Sequence, residues 1–256
     1  MHQIKKKLQN GELVLGTMIS EVRNPNVTYM LAQCGFEIVV IDNEHGSYSF
    51  ETISDIIAAA RGAGISVIVR IPEVTRVHIL KPLDAGAAGI LVPMINTAEE
   101  AQEVVNHAKY PPTGNRGAAL RRPHSLYAKV NAGEYLEQTN NNNFIAVQAE
   151  TTTSIENINE IASVEGVDCI FVGPFDLSVS LGIPGQINHP DEVQAIEKVI
   201  DACKKHNKVA GTLMFDKDLL KKWIEKGIRF ALYSSDMSML ADAAAEAVIE
   251  MKKINN

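Results

Sequence analysis

Eight short apolar segments, each rich in β-branched residues, constrain the fold of this 256-residue chain more than any other feature. Each segment is almost continuously apolar rather than alternating. That pattern is typical of parallel strands that are covered on both faces. The segments span residues 13–20, 38–42, 66–72, 89–94, 144–150, 168–174, 209–215 and 230–236.

Helix signals lie between these segments. Residues 97–100 and 153–156 each fit a capping box, and His189-Pro190 fits the start of a third helix. Gly64 and Gly227 follow apolar-periodic stretches and are expected to end helices. Strands and helices are therefore expected to alternate along the chain.

This alternation predicts an α/β fold, a (β/α)₈ TIM barrel, in one domain over residues 1–256. An open doubly wound sheet is the alternative, but eight strands are many for it and no GxGxxG turn follows a strand. Residues 109–143 are the irregular part. We expect an extra helix over 124–138 and, at the asparagine tract 140–143, a polar turn or loop at a helix end.

Composition excludes several classes of partner. The net charge of −7 argues against nucleic acid, which requires basic surfaces. No apolar run approaches the ~20 residues needed to span a bilayer, and no leader is evident, so no membrane partner and a cytoplasmic location are expected. Cys34, Cys169 and Cys203 form no CxxC pair and are expected to be reduced, mostly buried thiols.

Polar residues follow several of the apolar segments. In a (β/α)₈ barrel the active site is built at the carboxyl ends of the strands, so these residues are expected to meet in one ring although they are far apart in sequence. They are Asp42, Glu44 and His45 after the second segment, Arg70 in the third, Gln148 and Glu150 in the fifth, and Gly173-Pro174-Phe175-Asp176 after the sixth.

Glu150 and Asp176 are the candidate metal ligands. Two carboxylates with open positions suit a hard divalent cation such as Mg²⁺ or Mn²⁺, with water or substrate completing the shell. Without a cation the pair would repel and one pKa would rise. A helix cap or a salt bridge to a loop is the structural alternative for either residue.

His45 is a candidate general base because imidazole titrates near neutral pH, although a single histidine is often structural. Arg70 lies in an otherwise apolar strand and needs a partner, which could be a substrate carboxylate, a developing oxyanion, Asp42 or Glu44. The apolar segments contain no lysine, which argues against a Schiff-base aldolase, and no GxSxG elbow occurs.

Six sequence blocks, in order and over nearly the whole chain, resemble the HpcH/HpaI aldolase family. Within it they are most similar to 4-hydroxy-2-oxoheptanedioate and 2-dehydro-3-deoxyglucarate aldolases. Each block alone is modest, but six in register are specific. They are IDNEHG, VRIP, KPLDAGAAGILVPMINTAEEA, YPPTGNRGA, VQAE and FVGPFDLSVSLG.

The resemblance implies a class II aldolase, dependent on a divalent metal cation (Mg²⁺, Mn²⁺ or Co²⁺). Such an enzyme reversibly cleaves a 4-hydroxy-2-oxo acid into pyruvate and a short aldehyde. Its partners would be these small molecules, the 2-oxo acid and the aldehyde. It implies a homo-oligomer, usually a hexamer with an exchanged C-terminal helix, and a role such as aromatic compound catabolism.

The resemblance also implies residue roles. Glu150 and Asp176 would bind the metal, Arg70 would stabilise the pyruvate enolate, and His45 would transfer a proton through water. Asp84 would reach a histidine of a neighbouring subunit and help to set its protonation.

The remaining matches concern the substrate pocket. Gln148 would line it, the backbone at Gly173, Pro174 and Phe175 would hold the pyruvate carboxylate, and Leu213 would limit the aldehyde. Phe175 and Asn43 are larger than the residues that the family commonly has there. These departures leave the aldehyde open, with succinic semialdehyde and tartronate semialdehyde among the candidates.

Three other functions stay open. An oxaloacetate decarboxylase could use the same enolate on the same scaffold. An acyl-CoA lyase would need a longer basic region, at which only Arg116, Arg121 and Arg122 hint. A non-enzymatic metal-binding barrel would pair the strand-end polar groups with each other and leave no open metal position.

Overall fold

The computed structural model describes residues 4–253, and in them eight parallel strands close into a barrel. Each strand pairs with the next along the chain, and the last pairs with the first. The barrel prediction is confirmed, and the open-sheet alternative is wrong. The strands are β1 Val14–Ile19, β2 Ile38–Asp42, β3 Ser66–Arg70, β4 Gly89–Val92, β5 Phe144–Ala149, β6 Cys169–Val172, β7 Val209–Met214 and β8 Phe230–Ser235.

Twelve α-helices lie in the described part of the chain, with one 3₁₀ turn at Pro123–Ser125. They are α1 Ile4–Gln9, α2 Val27–Gln33, α3 Phe50–Ala63, α4 Arg76–Ala85, α5 Ala98–Ala108, α6 Ala132–Asn142, α7 Thr152–Glu156, α8 Ile158–Ser163, α9 Pro174–Ser180, α10 Pro190–Lys205, α11 Lys217–Lys226 and α12 Asp236–Lys252.

The helix signals of the sequence are confirmed with one shift. Thr97 and Glu100 form the expected capping box, and Gly64 and Gly227 follow the ends of α3 and α11. The box expected from Thr153 is wrong by two residues. It starts at Thr151, whose hydroxyl accepts from the Ser154 amide at 3.0 Å, while the Ser154 hydroxyl accepts from the Thr151 amide.

The barrel interior is filled by side chains. Three aromatic rings meet there, with the centre of the Phe230 ring 5.6 Å from that of Phe144 and 5.5 Å from that of Phe171. Ile4 and Leu8 of α1 belong to the same buried cluster and close the amino end. A ligand can therefore approach the interior only from the carboxyl ends of the strands.

Residues 109–143 depart from the sequence prediction. The expected helix starts at Ala132 rather than at 124 and ends at Asn142, so the asparagine tract lies at a helix end as expected, but residues 140–142 form the last turn of the helix and not a turn or loop after it. The cause is a tertiary contact. The Asn140 side chain bonds both backbone groups of Tyr110, at 2.7 and 2.9 Å, and the Lys109 ammonium donates to the Asn140 and Asn143 carbonyls.

Asp236, the first residue of α12, ties the C-terminal helix to the loop after β1. Its carboxylate accepts from the amides of Ser20, Glu21, Val22 and Met237 at 2.8 to 3.1 Å. Burial acts to raise the pKa of Asp236, but these amides lower it more, so the pKa lies below its ordinary value.

Replacing Asp236 with asparagine is expected to lower the free energy of unfolding at pH 7 by about 2 kcal/mol, because an amide nitrogen would face donating N–H groups. In the wild type the carboxylate contributes stability above its unfolded-state pKa. This contribution is lost as the pH falls through the lower folded-state pKa. Urea unfolding at pH 7 and at low pH checks both effects. Asp242→Asn, exposed on α12, is the matched control, and equal losses in the two variants would contradict the assignment.

Two further features concern the molecular surface. Cys169 and Cys203 are buried and Cys34 is exposed, and all three are free thiols, as expected. Among the described residues, no helix combines the length and the apolar character needed to cross a membrane.

Candidate active site

Strand alternation brings the predicted polar residues together above the barrel interior. Side chains two residues apart on a strand share a face. Asp42 and Arg70 each follow by two residues a member of the interior cluster, Val40 and Ile68, and they are direct partners across β2 and β3. Gln148 follows Ala146 in the same way, and Leu213 packs against the same cluster.

Arg70 is buried in an ion-pair network. Its Nε and Nη2 donate to the two carboxylate oxygens of Asp42 at 2.9 and 2.8 Å, and its Nη1 lies 3.1 Å from Glu44 Oε2. Of the partners left open by the sequence, the structure shows these two carboxylates. The Asp42 carboxylate also accepts from the amides of Glu44 and His45, which shapes the turn after β2.

The charges of this network depend on one another. Burial opposes the positive charge of Arg70, but hydrogen bonds to Asp42 and attraction to Asp42, Glu44 and Glu150 outweigh it and raise the pKa of Arg70. Burial raises the pKa of Glu44, which Arg70 partly offsets. The guanidinium is therefore permanently charged and held in one orientation by two carboxylates.

His45 lies at the rim of this network. Its side chain is 67% exposed, and its Nε2 lies 3.9 Å from Glu44 Oε2. An exposed imidazole at the mouth of the barrel can exchange protons with solvent and with a substrate above Arg70. The geometry places the predicted base beside the predicted enolate stabiliser.

Glu150 is buried at the end of β5. Its Oε1 accepts from the Met94 amide at 2.8 Å, and its Oε2 accepts from Gln148 Nε2 at 2.5 Å. Burial raises its pKa most, these two donors lower it, and the charges of Asp176 and Glu44 add to the rise, so that the pKa of Glu150 is about 7. A cation beside this carboxylate would favour its charged form and lower its pKa.

The turn after β6 gives Glu150 its space. A Cβ built at Gly173 would overlap Glu150 Oε2 and crowd its Cβ and Cδ, so only glycine leaves the carboxylate where it is. Pro174 starts α9, and Phe175 and Asp176 follow it, both exposed. The Asp176 charge contributes to the pKa shifts of both Glu150 and Glu44, so the three carboxylates share one electrostatic region.

The donor set fits a hard divalent cation held by two protein carboxylates. Among residues 4–253, no group of three or more His, Cys, Asp or Glu side chains is arranged to hold a metal ion. A site on Glu150 and Asp176 would therefore leave most positions to water or substrate, as Mg²⁺ accepts readily. Gln148 Oε1 is buried and lacks a hydrogen-bond partner in the described structure, so it is free to accept from a metal-bound water.

Asp84 is the one predicted catalytic residue that the chain does not bring to this mouth. It lies near the end of α4, where its Oδ1 is 2.6 Å from Nη2 of the buried Arg116 and 4.0 Å from His124 Nε2. Its action across a subunit contact stays a prediction. The same ion pair removes Arg116 from the basic surface that an acyl-CoA substrate would require.

Sequence reasoning missed Met94. Its amide donates to Glu150, its backbone has a left-handed φ of 57°, and its side chain is exposed at the mouth. No sequence signal distinguishes this methionine, because its contribution comes from the main chain. The role of Gly173 in making room for Glu150 was also missed, since the sequence suggested only a close backbone approach to a ligand.

Comparison with known proteins identifies the family to which this sequence and fold are similar. The profile of the HpcH/HpaI aldolase/citrate lyase family matches residues 17–243. A 5-keto-4-deoxy-D-glucarate aldolase of Shigella boydii is 34% identical over 234 residues, 91% of this chain and 90% of that protein. The crystal structure of an HpcH/HpaI aldolase from Desulfitobacterium hafniense is 37% identical with a TM-score of 0.94, covering 97% of this chain and 96% of that one. The citrate synthase SbnG is 29% identical with a TM-score of 0.89, covering 98% of each chain.

Proposed function

This chain belongs to the HpcH/HpaI aldolase/citrate lyase family and is a carbon–carbon lyase, and from that premise we propose a specific reaction. The reaction is the reversible, divalent-metal-dependent cleavage of a 4-hydroxy-2-oxo acid into pyruvate and a short aldehyde. One observation carries the proposal. A fixed guanidinium, Arg70, lies at the same mouth of the barrel as two carboxylates that suit a cation: the charge of Glu150 acts on Arg70, and the charge of Asp176 acts on Glu150.

The bond changes explain why these groups are needed. A base removes the proton of the 4-hydroxyl group, the C3–C4 bond breaks, and its electron pair passes into the enolate of pyruvate. The enolate is then protonated at C3. When bound by Glu150 and Asp176, a divalent cation would act as a Lewis acid toward the 2-oxo acid. Within the chain, His45 moves the proton and Arg70 stabilises the enolate oxygen.

Arg70 has the donor capacity for this role. A guanidinium carries five N–H groups. Asp42 accepts hydrogen bonds from the N–H of Nε and from one N–H of Nη2, and the Glu44 carboxylate lies beside Nη1. The second N–H of Nη1 is left for a substrate oxygen, and the two carboxylates fix its direction before substrate arrives.

The substrate carboxylate would bind at the start of α9. The first amides of a helix have no partner within it, and Pro174 contributes none, which leaves those of Phe175 and Asp176 for an anion. Gln148 would line the same space, and Leu213 would border the aldehyde.

The test measures pyruvate release from 4-hydroxy-2-oxo acids by metal-stripped protein, with and without added Mg²⁺, Mn²⁺ or Co²⁺. Release is expected only with metal, and Glu150→Gln and Asp176→Asn are each expected to reduce it at least about 10²-fold. Folding is checked by thermal unfolding of each variant. Full release without any metal would contradict the proposal. If the protein releases no pyruvate from these acids but decarboxylates oxaloacetate or cleaves a thioester, the observed activity would replace the aldolase reaction as the proposed function.

We also propose a homo-oligomer, with a hexamer and an exchanged C-terminal helix as the expected form. The support is that no residue of α12 is buried although the helix carries large apolar side chains, Leu240, Val248 and Ile249 among them. Such a face is typical of a subunit contact. Light scattering of the active protein tests this, and a fully active monomer would also exclude the role of Asp84.

A further inference from the structure

One half of the barrel mouth is apolar. Met94, Phe175 and Phe215 follow β4, β6 and β7 and expose 51%, 64% and 57% of their surfaces, and Leu213 is half-buried near the end of β7. We call these four residues the apolar ledge. Large apolar side chains gathered at the opening of a site indicate contact with an apolar group of a ligand.

The ledge residues lie near the carboxyl ends of their strands, where the substrate is expected to bind. Leu213 shares the inward-facing alternation of Val209, which belongs to the interior cluster, and Phe215 directly follows the end of β7, which pairs with β6. Met94 donates its amide to Glu150, and Phe175 immediately precedes Asp176. The ledge therefore borders the carboxylates that would hold the metal, on the β4–β7 side of the mouth.

The charges of the mouth are distributed unevenly. His45 and Arg70 lie on the β2–β3 side, where Arg70 is already bound to two carboxylates, and Arg23, in the loop after β1, donates to Ser47 in the loop after β2. The segments 173–180 and 213–216 that carry most of the ledge contain no Lys, Arg or His. The nearby Lys217 ammonium lies 5.6 Å from the centre of the Tyr233 ring. A second carboxylate on the aldehyde would thus meet apolar side chains and the carboxylates Glu150 and Asp176.

We infer that the aldehyde partner of this enzyme has an uncharged, apolar tail that lies on the apolar ledge. This inference rests on the proposed aldolase function and names the substrate class of that site. The curated relative from Shigella boydii is named for a substrate with a carboxylate at each end, so the two enzymes would differ in acceptor and share the chemistry.

In the synthetic direction the step is balanced without any oxidant or reductant. Pyruvate loses a proton from C3, and the electron pair of that bond forms the new C–C bond to the aldehyde carbon. The π electrons of the aldehyde carbonyl pass to its oxygen, which takes up one proton and becomes the 4-hydroxyl group. Only the tail beyond the aldehyde carbon touches the ledge, so the tail decides selectivity.

Butanal and succinic semialdehyde test the inference, because they have four carbons each and differ only in a terminal methyl or carboxylate group. With pyruvate and metal-loaded wild type, kcat/KM is expected to be at least about tenfold higher for butanal. Phe175→Ala and Phe215→Ala are each expected to lower this ratio by about threefold or more. Met30→Ala, which removes an equally exposed apolar side chain on α2, is expected to leave the ratio unchanged.

Deuterium exchange at the pyruvate methyl group, measured without aldehyde, separates the two proposals. Suppose that exchange is seen, but kcat/KM is higher for succinic semialdehyde than for butanal, or neither Phe175→Ala nor Phe215→Ala changes the ratio of the two kcat/KM values. Either result would overturn the inference and leave the aldolase function standing. Absence of exchange and of product with every metal would overturn both. Exchange together with the butanal preference and its loss in the variants would support both.

Discussion

Replacing Arg70 with lysine is expected to lower kcat for pyruvate release by about 10²- to 10³-fold, with a smaller change in KM. Lysine keeps a positive charge but cannot bond Asp42 through two nitrogens, contact Glu44 and still direct an N–H at the enolate oxygen. Loss of one fixed donor to a developing oxyanion has an effect of this size. Steady-state kinetics on the metal-loaded variant gives the result.

A structural role for Arg70 has to be separated from this catalytic one. Removing the guanidinium alone leaves the buried Asp42 and the partly buried Glu44 without a counter-charge, and an unpaired buried charge destabilises a protein by about 3–5 kcal/mol. The double variant Arg70→Met with Asp42→Asn removes one of those charges and is expected to regain stability without activity. Near-normal deuterium exchange of pyruvate in the stable double variant would show that Arg70 only supports the fold.

Much of the fold could be predicted from the sequence, because its strands are coded locally. The run 38–42 is a strand over the residues expected, since its apolar side chains are buried on both faces. The asparagine tract 140–143 could not be predicted in this way. Asparagine favours turns in isolation, and here the helical conformation of residues 140–142 depends on bonds that Lys109 donates to the Asn143 carbonyl and Tyr110 donates to the Asn140 side chain, from 30 or more residues away.

In the candidate site, too, some features follow from local sequence pattern and others depend on tertiary geometry. The positions of Arg70 and Gln148 at the mouth follow from alternation along a strand, which is readable once the barrel is assumed. The partners of Arg70 could only be narrowed to a few, because the choice between Asp42, Glu44 and a substrate depends on side-chain geometry. The contribution of Met94 comes from its main-chain amide, and that of Gly173 from the absence of a side chain, so neither has a sequence signal.

Gly173→Ala is expected to weaken Mn²⁺ binding by at least about 10²-fold, the size of effect seen when the support of a metal ligand is lost. The backbone at Gly173 has φ −94° and ψ 91°, which alanine can adopt, so the substitution adds no backbone strain. Its effect is steric. The new methyl group would take the place of Glu150 Oε2 and force the carboxylate away from Gln148 and the Met94 amide.

Calorimetric titration of Mn²⁺ into metal-stripped protein measures this without reference to turnover. Gly133→Ala is the matched control, because a Cβ there meets only the Asn131 side chain at 3.6 Å. Shortening the Glu150 side chain in the same variant gives a sharper test than the single substitution. In Gly173→Ala with Glu150→Asp, the shorter carboxylate leaves room for the methyl group, and part of the Mn²⁺ affinity is expected to return. Wild-type affinity in Gly173→Ala would mean that Glu150 does not hold the metal, because its carboxylate cannot keep its position beside that methyl group.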